Sequence, residues 1–353
     1  MADPLRVPDQ ANDISPRWLT SALAENQPGI QVHSVEIVDV VKGACTKLRL
    51  ALRTNRSDFP ATVLMKAGFE PHSPHMRGMH VNEVHAYRDL LPTVEIESPH
   101  CFAALADDTG RALVILEDLC LRNVRFLEPQ KPINFNLAAR FLDGLAALHA
   151  RWWNSPRLRD GSFAWVPDAS EASLAHYFEL LLTPEHFQTF ATAPRGAAMP
   201  RVILDPARIR AAHAAMRIAQ AKHEALVINH GDMHLGNLYV DAQGNPGFLD
   251  AQPRLGSWSI DVSYFLIAGL DLEDRRRWQA ALLQHYLEAL AVRGVAAPLF
   301  DDAWSAYRRS VIWGLLIWLL NGSNFQTEAN NTAAASRFAM AMIDLDTFGI
   351  LGV

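Results

Sequence analysis

Three oxygen-bearing side chains stand at fixed spacing between Asn229 and Gln252: Asp232, Asn237 five residues later, and Asp250 thirteen further on. A set of this kind suits phosphoryl transfer. One carboxylate accepts or orients the proton of an attacking hydroxyl, and hard oxygen ligands hold Mg²⁺ against nucleotide phosphates. The residues between them form a local unit. Leu238, Tyr239 and Val240 are a short apolar run, Asp241-Ala242-Gln243-Gly244-Asn245-Pro246 is turn chemistry, and Phe248 and Leu249 begin a second run. That pattern predicts a hairpin with a loop at one end and Asp250 at the other, so that Asn237 and Asp250 come near each other.

The loop itself, His230-Gly231-Asp232-Met233-His234-Leu235-Gly236-Asn237, resembles the H-G-D-x-H-x-x-N loop of aminoglycoside phosphotransferases and of ecdysteroid-kinase-like and choline-kinase-like enzymes. Protein kinases share the H-x-D-x-x-x-x-N frame but usually carry Arg where Gly231 stands. Asp250-Ala251-Gln252 is closer to the Asp-x-Gln of the ecdysteroid-kinase-like group than to Asp-Phe-Gly. The resemblance spans about Val35 to Leu270, and its specific part is this loop. It implies that Asp232 orients or deprotonates the acceptor hydroxyl, that Asn237 and Asp250 hold the metal, and that His230 supports the loop.

Other elements must position these residues. Ile14–Ala24 reads as a short helix, with Ser15 as cap and Pro16 at its first position. Val32–Val41 reads as a strand. Lys42-Gly43-Ala44-Cys45-Thr46 breaks it, and Leu48, Leu50 and Leu52 alternate along the next. In kinase-like folds the turn of this first hairpin covers the phosphates, and Gly43 would let the backbone approach them. Ala61–Ala67 is a strand with a lone Lys66 in an apolar run, which is costly to bury unpaired. The resemblance supplies a partner, Glu83, on a helix whose Val84, Tyr87 and Leu91 share a face; Glu95 and Glu97 are rivals in an extended segment. His72 and His75, in the polar connection Gly68–Gly78, lack the surroundings of a metal site. Ser98–Ala106 and Ala112–Leu116 are further strands. The following Leu116-Glu117-Asp118-Leu119 resembles the hinge between kinase lobes, where backbone groups of Glu117 and Leu119 would meet the adenine edge.

The remainder reads as mainly helical. Asn136–Trp152 repeats Leu137, Phe141, Leu145, Leu148 and Trp152 at helical spacing, and its His149 reads as a packed residue. Gly161–Arg201 is irregular apart from a helix over Glu171–Leu182. Residues 205–225 form an Ala-rich helix leading to a strand, Leu226–Ile228. Trp152, Trp153, Phe163, Trp165 and Phe178 are core aromatics that could instead line an apolar acceptor pocket. By the resemblance, Asp261 starts a helix and braces the catalytic loop; a carboxylate also suits a helix N-terminus on dipole grounds. Arg254 is a candidate neutraliser of phosphate charge or a surface residue. Leu272–Leu290, Trp304–Leu320 and Ala333–Phe348 complete the helices.

The 353 residues suffice for two lobes. A net charge of −6 argues against a nucleic-acid groove. Cys45, Cys101 and Cys120 show no C-x-x-C spacing and fit reduced thiols. Met1–Gln10 has no apolar leader core, and the apolar run Val311–Leu320 is too short to span a membrane, so a cytoplasmic protein is expected. The expectation is an α+β, bilobal protein-kinase-like fold: a nucleotide-binding lobe over 1–119 with a small antiparallel sheet, and a mainly helical catalytic and acceptor-binding lobe over 120–353. The implied activity is ATP- and Mg²⁺-dependent phosphorylation of a small-molecule hydroxyl; no dense acidic run beyond Asp301-Asp302 suits a polycation, and the resemblance to the ecdysteroid-kinase-like pattern implies a partly apolar alcohol. The alternatives are a nucleotide-binding pseudokinase or scaffold module, and a protein kinase, disfavoured by Gly231 and by the lack of an Ala-Pro-Glu segment.

Overall fold

The computed structural model describes residues 5–168, 172–323 and 325–353. Glu171, at the start of the helix expected over Glu171–Leu182, and the first four residues of the Met1–Gln10 segment lie outside these. The chain divides into two compact units. The first holds residues 1–125, 241–243 and 247–252; the second holds 126–240, 244–246 and 253–353. The stretch carrying Asp250 thus groups with the first unit, although it follows the catalytic loop in sequence.

The first unit opens with helix α1 (Pro16–Leu23), capped by Ser15, whose hydroxyl accepts from the Trp18 N–H at 3.2 Å. Strands β1 (Val32–Val41), β2 (Thr46–Thr54) and β3 (Thr62–Ala67) follow, then helix α2 (Arg77–His85), β4 (Cys101–Ala106) and β5 (Ala112–Glu117). The five strands form one antiparallel sheet in the order β1-β2-β3-β5-β4. Because side chains alternate across a strand, each strand serves two faces. Leu48, Leu50, Val63, Met65, Leu113 and Ile115 join Leu19 and Leu23 in one core. Ala112, Val114 and Leu116 turn to the other face and meet Val84, Tyr87 and Leu91. Lys66, one step out of phase with Met65, belongs to that second face. The helix does not end at His85 but widens into a π-helical turn, Ala86–Leu90. The connection expected to be irregular over Gly68–Gly78 contains a 3₁₀ turn, Ser73–Met76, and the first turn of α2; Pro74 at the turn's second position favours that start.

The second unit begins near the two-residue strand β6 (Arg125–Phe126). Helix α3 (Phe135–Trp152) is capped by Asn134 and buries Phe141, Leu142, Leu145, Leu148 and Trp152. Three short helices follow: α4 (Ala172–Leu181), α5 (Pro184–Ala191) and α6 (Pro194–Ala197). The last two correct the irregular reading of this region. Each starts with proline, whose fixed φ and missing N–H suit a first helical position. Helix α7 (Pro206–His223) leads into β7 (Leu226–Asn229). Strands β8 (Leu238–Val240) and β9 (Pro246–Phe248) flank a turn in which Gly244 has φ of +81°. Strand β10 (Arg254–Ser257) pairs antiparallel with β7, and helix α8 (Trp258–Gly269) is buried along its whole length. Helices α9 (Leu272–Val292), α10 (Phe300–Leu320), α11 (Glu328–Asp344) and α12 (Thr347–Leu351) complete the unit. The helix expected over Ala333–Phe348 is broken at Asp346, which adopts φ of +46°. Val311–Leu320 lies inside α10, and among the described residues no helix is long and apolar enough to cross a membrane.

Candidate active site

In the first unit, sheet register and helix phase bring three charged groups together. Lys66 lies opposite Val114 on β5, on the face that α2 covers, and Glu83 points from α2 to the same place. The Lys66 ammonium donates to Glu83 Oε1 and, at 2.6 Å, to Asp250 Oδ1. Lys66 and Glu83 are both buried. Burial alone would lower the Lys66 pKa, but Asp250 and Glu83 outweigh it and hold the ammonium well above its ordinary value. Of the rival carboxylates, Glu97 pairs instead with Arg122 at 2.6 Å. Lys47, on β2, also reaches Asp250, with Nζ 3.4 Å from Oδ2. Burial would raise the Asp250 carboxyl, yet the charges of Lys47 and Lys66 drive it far below the usual carboxylate range. Asp250 itself has φ of +52°, an uncommon backbone conformation that Asp tolerates better than most residues.

The same unit holds the other expected nucleotide groups. A Cβ on Gly43 would meet nothing nearer than Cys45 O at 3.9 Å, so packing within the chain does not demand glycine there. Burial pushes the Cys45 thiol up to about 11, which leaves it protonated and a poor nucleophile at neutral pH. The Glu117 N–H donates to His100 O at 2.9 Å, and its carboxylate is held by Arg122 at 2.9 Å. Leu119 opens a 3₁₀ turn, Leu119–Arg122, a position whose N–H has no acceptor within the turn.

In the second unit, β7 delivers the chain to the loop from His230 to Asn237 and α8 anchors it. Asp261, in the first turn of α8, accepts from the His230 N–H at 2.6 Å through Oδ2 and from the Gly231 N–H at 3.1 Å through Oδ1. His149, fully buried on α3, approaches Asp261 Oδ2 at 3.3 Å and Tyr286 Oη at 2.7 Å. Gly231 has φ of +85°, so the loop turns where a side chain would be strained. Asp232 is held by Asn237, whose Nδ2 donates to the Asp232 carbonyl at 3.0 Å and to Oδ2 at 2.9 Å. Tyr264 donates to Oδ1 at 3.4 Å, and His234 Nε2 lies 3.6 Å from Oδ2. Burial would raise the Asp232 carboxyl; His234, His230 and the Asn237 bond outweigh it and hold the group ionised. The Asp232 N–H points to His230 Nδ1 at 3.4 Å, so that histidine faces the loop backbone.

Sequence reasoning missed Tyr264, His234 and Lys47. Tyr264 lies one helical turn after Asp261, a spacing that puts both on one side of α8. Lys47 is out of phase with Leu48 and Leu50, which places it on the Lys66 face. The aromatics proposed for an acceptor pocket divide. Trp152, Phe163 and Phe178 are buried core, and Trp165 packs near Phe163, with ring centroids 6.3 Å apart. Trp153 instead lines a cavity of about 550 Å³ with Asn154, Glu224, Trp258, Asp302 and Arg309, residues that do not include the catalytic loop. Arg254 lies over the Trp313 ring at 6.0 Å.

The donors fit magnesium. Asn237, in the second unit, turns its amide nitrogen to Asp232, so that Oδ1 is the atom that would ligate a metal; Asp250, in the first unit, offers a carboxylate. Mg²⁺ takes few protein oxygens and leaves the rest to phosphate and water. Among the described residues no three His, Cys, Asp or Glu side chains gather as a self-sufficient metal cage.

The profile of the ecdysteroid kinase-like family matches residues 202–293, which include the catalytic loop, Asp250 and Asp261. No curated relative matches the sequence. Among solved structures, a provisionally named aminoglycoside phosphotransferase of Ralstonia eutropha JMP134 superposes with a TM-score of 0.58 at 14% identity, over 95% of this chain and 97% of that one. Plasmodium vivax ethanolamine kinase gives 0.54 at 11% identity, over 94% and 84%. Cryptosporidium parvum choline kinase gives 0.54 at 12% identity, over 95% and 97%. The segment that carries the catalytic loop thus matches the ecdysteroid kinase-like family, within a chain whose α+β fold is that of the small-molecule kinases.

Proposed function

We propose that this protein is a small-molecule kinase that transfers a phosphoryl group from ATP, with Mg²⁺, to a hydroxyl of a partly apolar alcohol. The observation that carries the reading is the buried Lys66 ammonium held between Glu83 and Asp250. A buried cation fixed by two carboxylates, beside a strand turn with an open glycine, is arranged to meet phosphate oxygens. The first unit would bind the nucleotide, with the Leu119 N–H at the adenine edge. The second would bring the acceptor to Asp232. An ionised Asp232 fixed by Asn237 and Tyr264 would orient a hydroxyl and take its proton as the oxygen–phosphorus bond forms and the γ-phosphoryl bond to ADP breaks, ADP leaving. Asn237 Oδ1 and Asp250 would hold magnesium, which when bound neutralises phosphate charge. Tyr264 and Trp318 stack with ring centroids 6.4 Å apart, and His234 meets Trp318 at 5.2 Å. These rings are buried and brace Asp232 from behind; the names of the ethanolamine and choline kinases support a small alcohol.

The test is thermal unfolding with and without Mg²⁺-ATP, followed by ATP consumption across a panel of alcohols. Ligand at a hundredfold over its dissociation constant stabilises by about 2.7 kcal/mol, a rise of about 4 °C for a chain of this size. Asp250→Asn should lose the magnesium-dependent part of that rise, and Asp232→Asn should keep it while losing transfer. A wild-type protein whose midpoint ignores Mg²⁺-ATP would sink the reading; nucleotide binding without turnover on any alcohol would favour the pseudokinase alternative.

A further inference from the structure

Strands β2 and β3 set two lysines directly opposite each other. Lys47 pairs with Lys66 in the antiparallel register, and both point to the sheet face that carries Glu83. Like charges placed directly across a strand pair destabilise it unless an anion lies between them. Here the anion is Asp250, with one lysine on each carboxylate oxygen, Lys66 at 2.6 Å and Lys47 at 3.4 Å. The two lysines are not equivalent. Lys66 is buried, has Glu83 as a second carboxylate and is fixed whatever happens to Asp250. Lys47 is 40% exposed at its side chain, makes the longer contact, and has Asp250 as its one carboxylate among the ion pairs of the described residues.

We propose that Lys47 is a second phosphate-binding cation of this site, exchanging its contact with Asp250 for the phosphate chain when nucleotide enters. The inference rests on the nucleotide-binding reading of the first unit and adds a residue to it. A carboxylate engaged by a divalent cation has less need of two ammonium partners. The displaced ammonium then needs another anion, and a phosphate chain approaching Lys66 brings one to the same sheet face. A lysine on a flexible stem gives a point charge that can follow this change without altering the strand. Its role is to discriminate by phosphate charge: ATP should gain from Lys47, ADP less, and adenosine nothing.

The experiment is titration of wild type, Lys47→Met and Lys47→Arg with ATP, ADP and adenosine in excess Mg²⁺, read by calorimetry, with the unliganded melting midpoint as a control. Losing one charged phosphate contact weakens binding by about tenfold or more. Lys47→Met should therefore weaken ATP by at least that factor and leave adenosine unchanged, and Lys47→Arg should recover most of the loss. Unchanged ATP affinity in Lys47→Met overturns the inference and leaves the nucleotide site standing. An equal loss for adenosine overturns it too, because the residue would then be shaping the fold. A wild type that binds none of the three removes the proposed function itself, a different result from either.

Discussion

The carboxylate of Asp261 carries a prediction that can be worked from the geometry. It accepts two consecutive backbone N–H groups, from His230 at 2.6 Å and Gly231 at 3.1 Å, and it is 1% exposed, so water cannot replace a lost acceptor. Asp261→Asn keeps the shape and removes one acceptor. If the amide oxygen stays on the shorter bond to His230, the amide nitrogen confronts the Gly231 N–H, donor against donor. An unsatisfied buried N–H costs about 1–3 kcal/mol, and the surviving bond loses the charge-assisted part of its strength, about 1 kcal/mol more. The total of about 2–4 kcal/mol corresponds to a fall of about 4–8 °C in the melting midpoint if the second unit melts on its own.

The functional consequence follows from position. Asp232 is the next residue after Gly231, so a loop that gives way at Gly231 moves the group proposed to meet the hydroxyl. A displacement of about 1 Å costs up to about a hundredfold in rate. Lys66, Glu83 and Asp250 are in the other unit, so most of the Mg²⁺-ATP shift should persist, less whatever part depends on Asn237. The assay is a paired measurement on Asp261→Asn: urea or thermal midpoint, and turnover against nucleotide affinity. A variant with the wild-type midpoint would refute the anchoring role. A variant that loses nucleotide affinity as steeply as turnover would show that Asp261 acts on the whole fold.

Two further outcomes test separate parts of the structure. Gly231→Ala forces a side chain into φ of +85° and should lose about 1–2 kcal/mol, seen as a lower urea midpoint, with slower turnover because the strain sits between His230 and Asp232. Glu328, bonded by the buried Arg195, has its carboxyl lowered from 4.5 to about 2. A depressed folded pKa stabilises above the unfolded value and stops doing so as pH falls through the folded one. Glu328→Gln should therefore melt below wild type at pH 7, with the gap closing between about pH 4.5 and 2; a gap that ignores pH would show that the ionised carboxylate contributes nothing there.

Much of this was legible because one strand pattern encodes both faces of a sheet. Leu48, Leu50 and Leu52 announce the core side of β2, and a lysine in phase with neither core nor turn, as Lys66 is in β3, announces a partner. The helix face of Val84, Tyr87 and Leu91 packs on that sheet and has Glu83 beside it. Lys47 escaped for a physical reason. Its own strand marks which face it occupies, but that it lies opposite Lys66 depends on the register between β2 and β3, which no residue within either strand states. The helices starting at Pro184 and Pro194 were readable from proline at a first helical position, and the surrounding small residues masked them. The break at Asp346 had no such sign, since its left-handed backbone is taken by an aspartate with no glycine or proline beside it.

The loop from His230 to Asn237 shows why a motif can mark residues before it explains how they are held. The spacing of Asp232 and Asn237 places both side chains, but the backbone between His230 and Asp232 needs two things the spacing does not express. One is a residue free to take φ of +85°, supplied by Gly231. The other is a carboxylate for the two N–H groups that this turn leaves without partners in the loop, supplied from α8, thirty residues later, by Asp261. His149 then lies against that carboxylate from α3, far earlier in the chain. A loop held in this way is fixed before any ligand arrives, as the transfer role proposed for Asp232 requires.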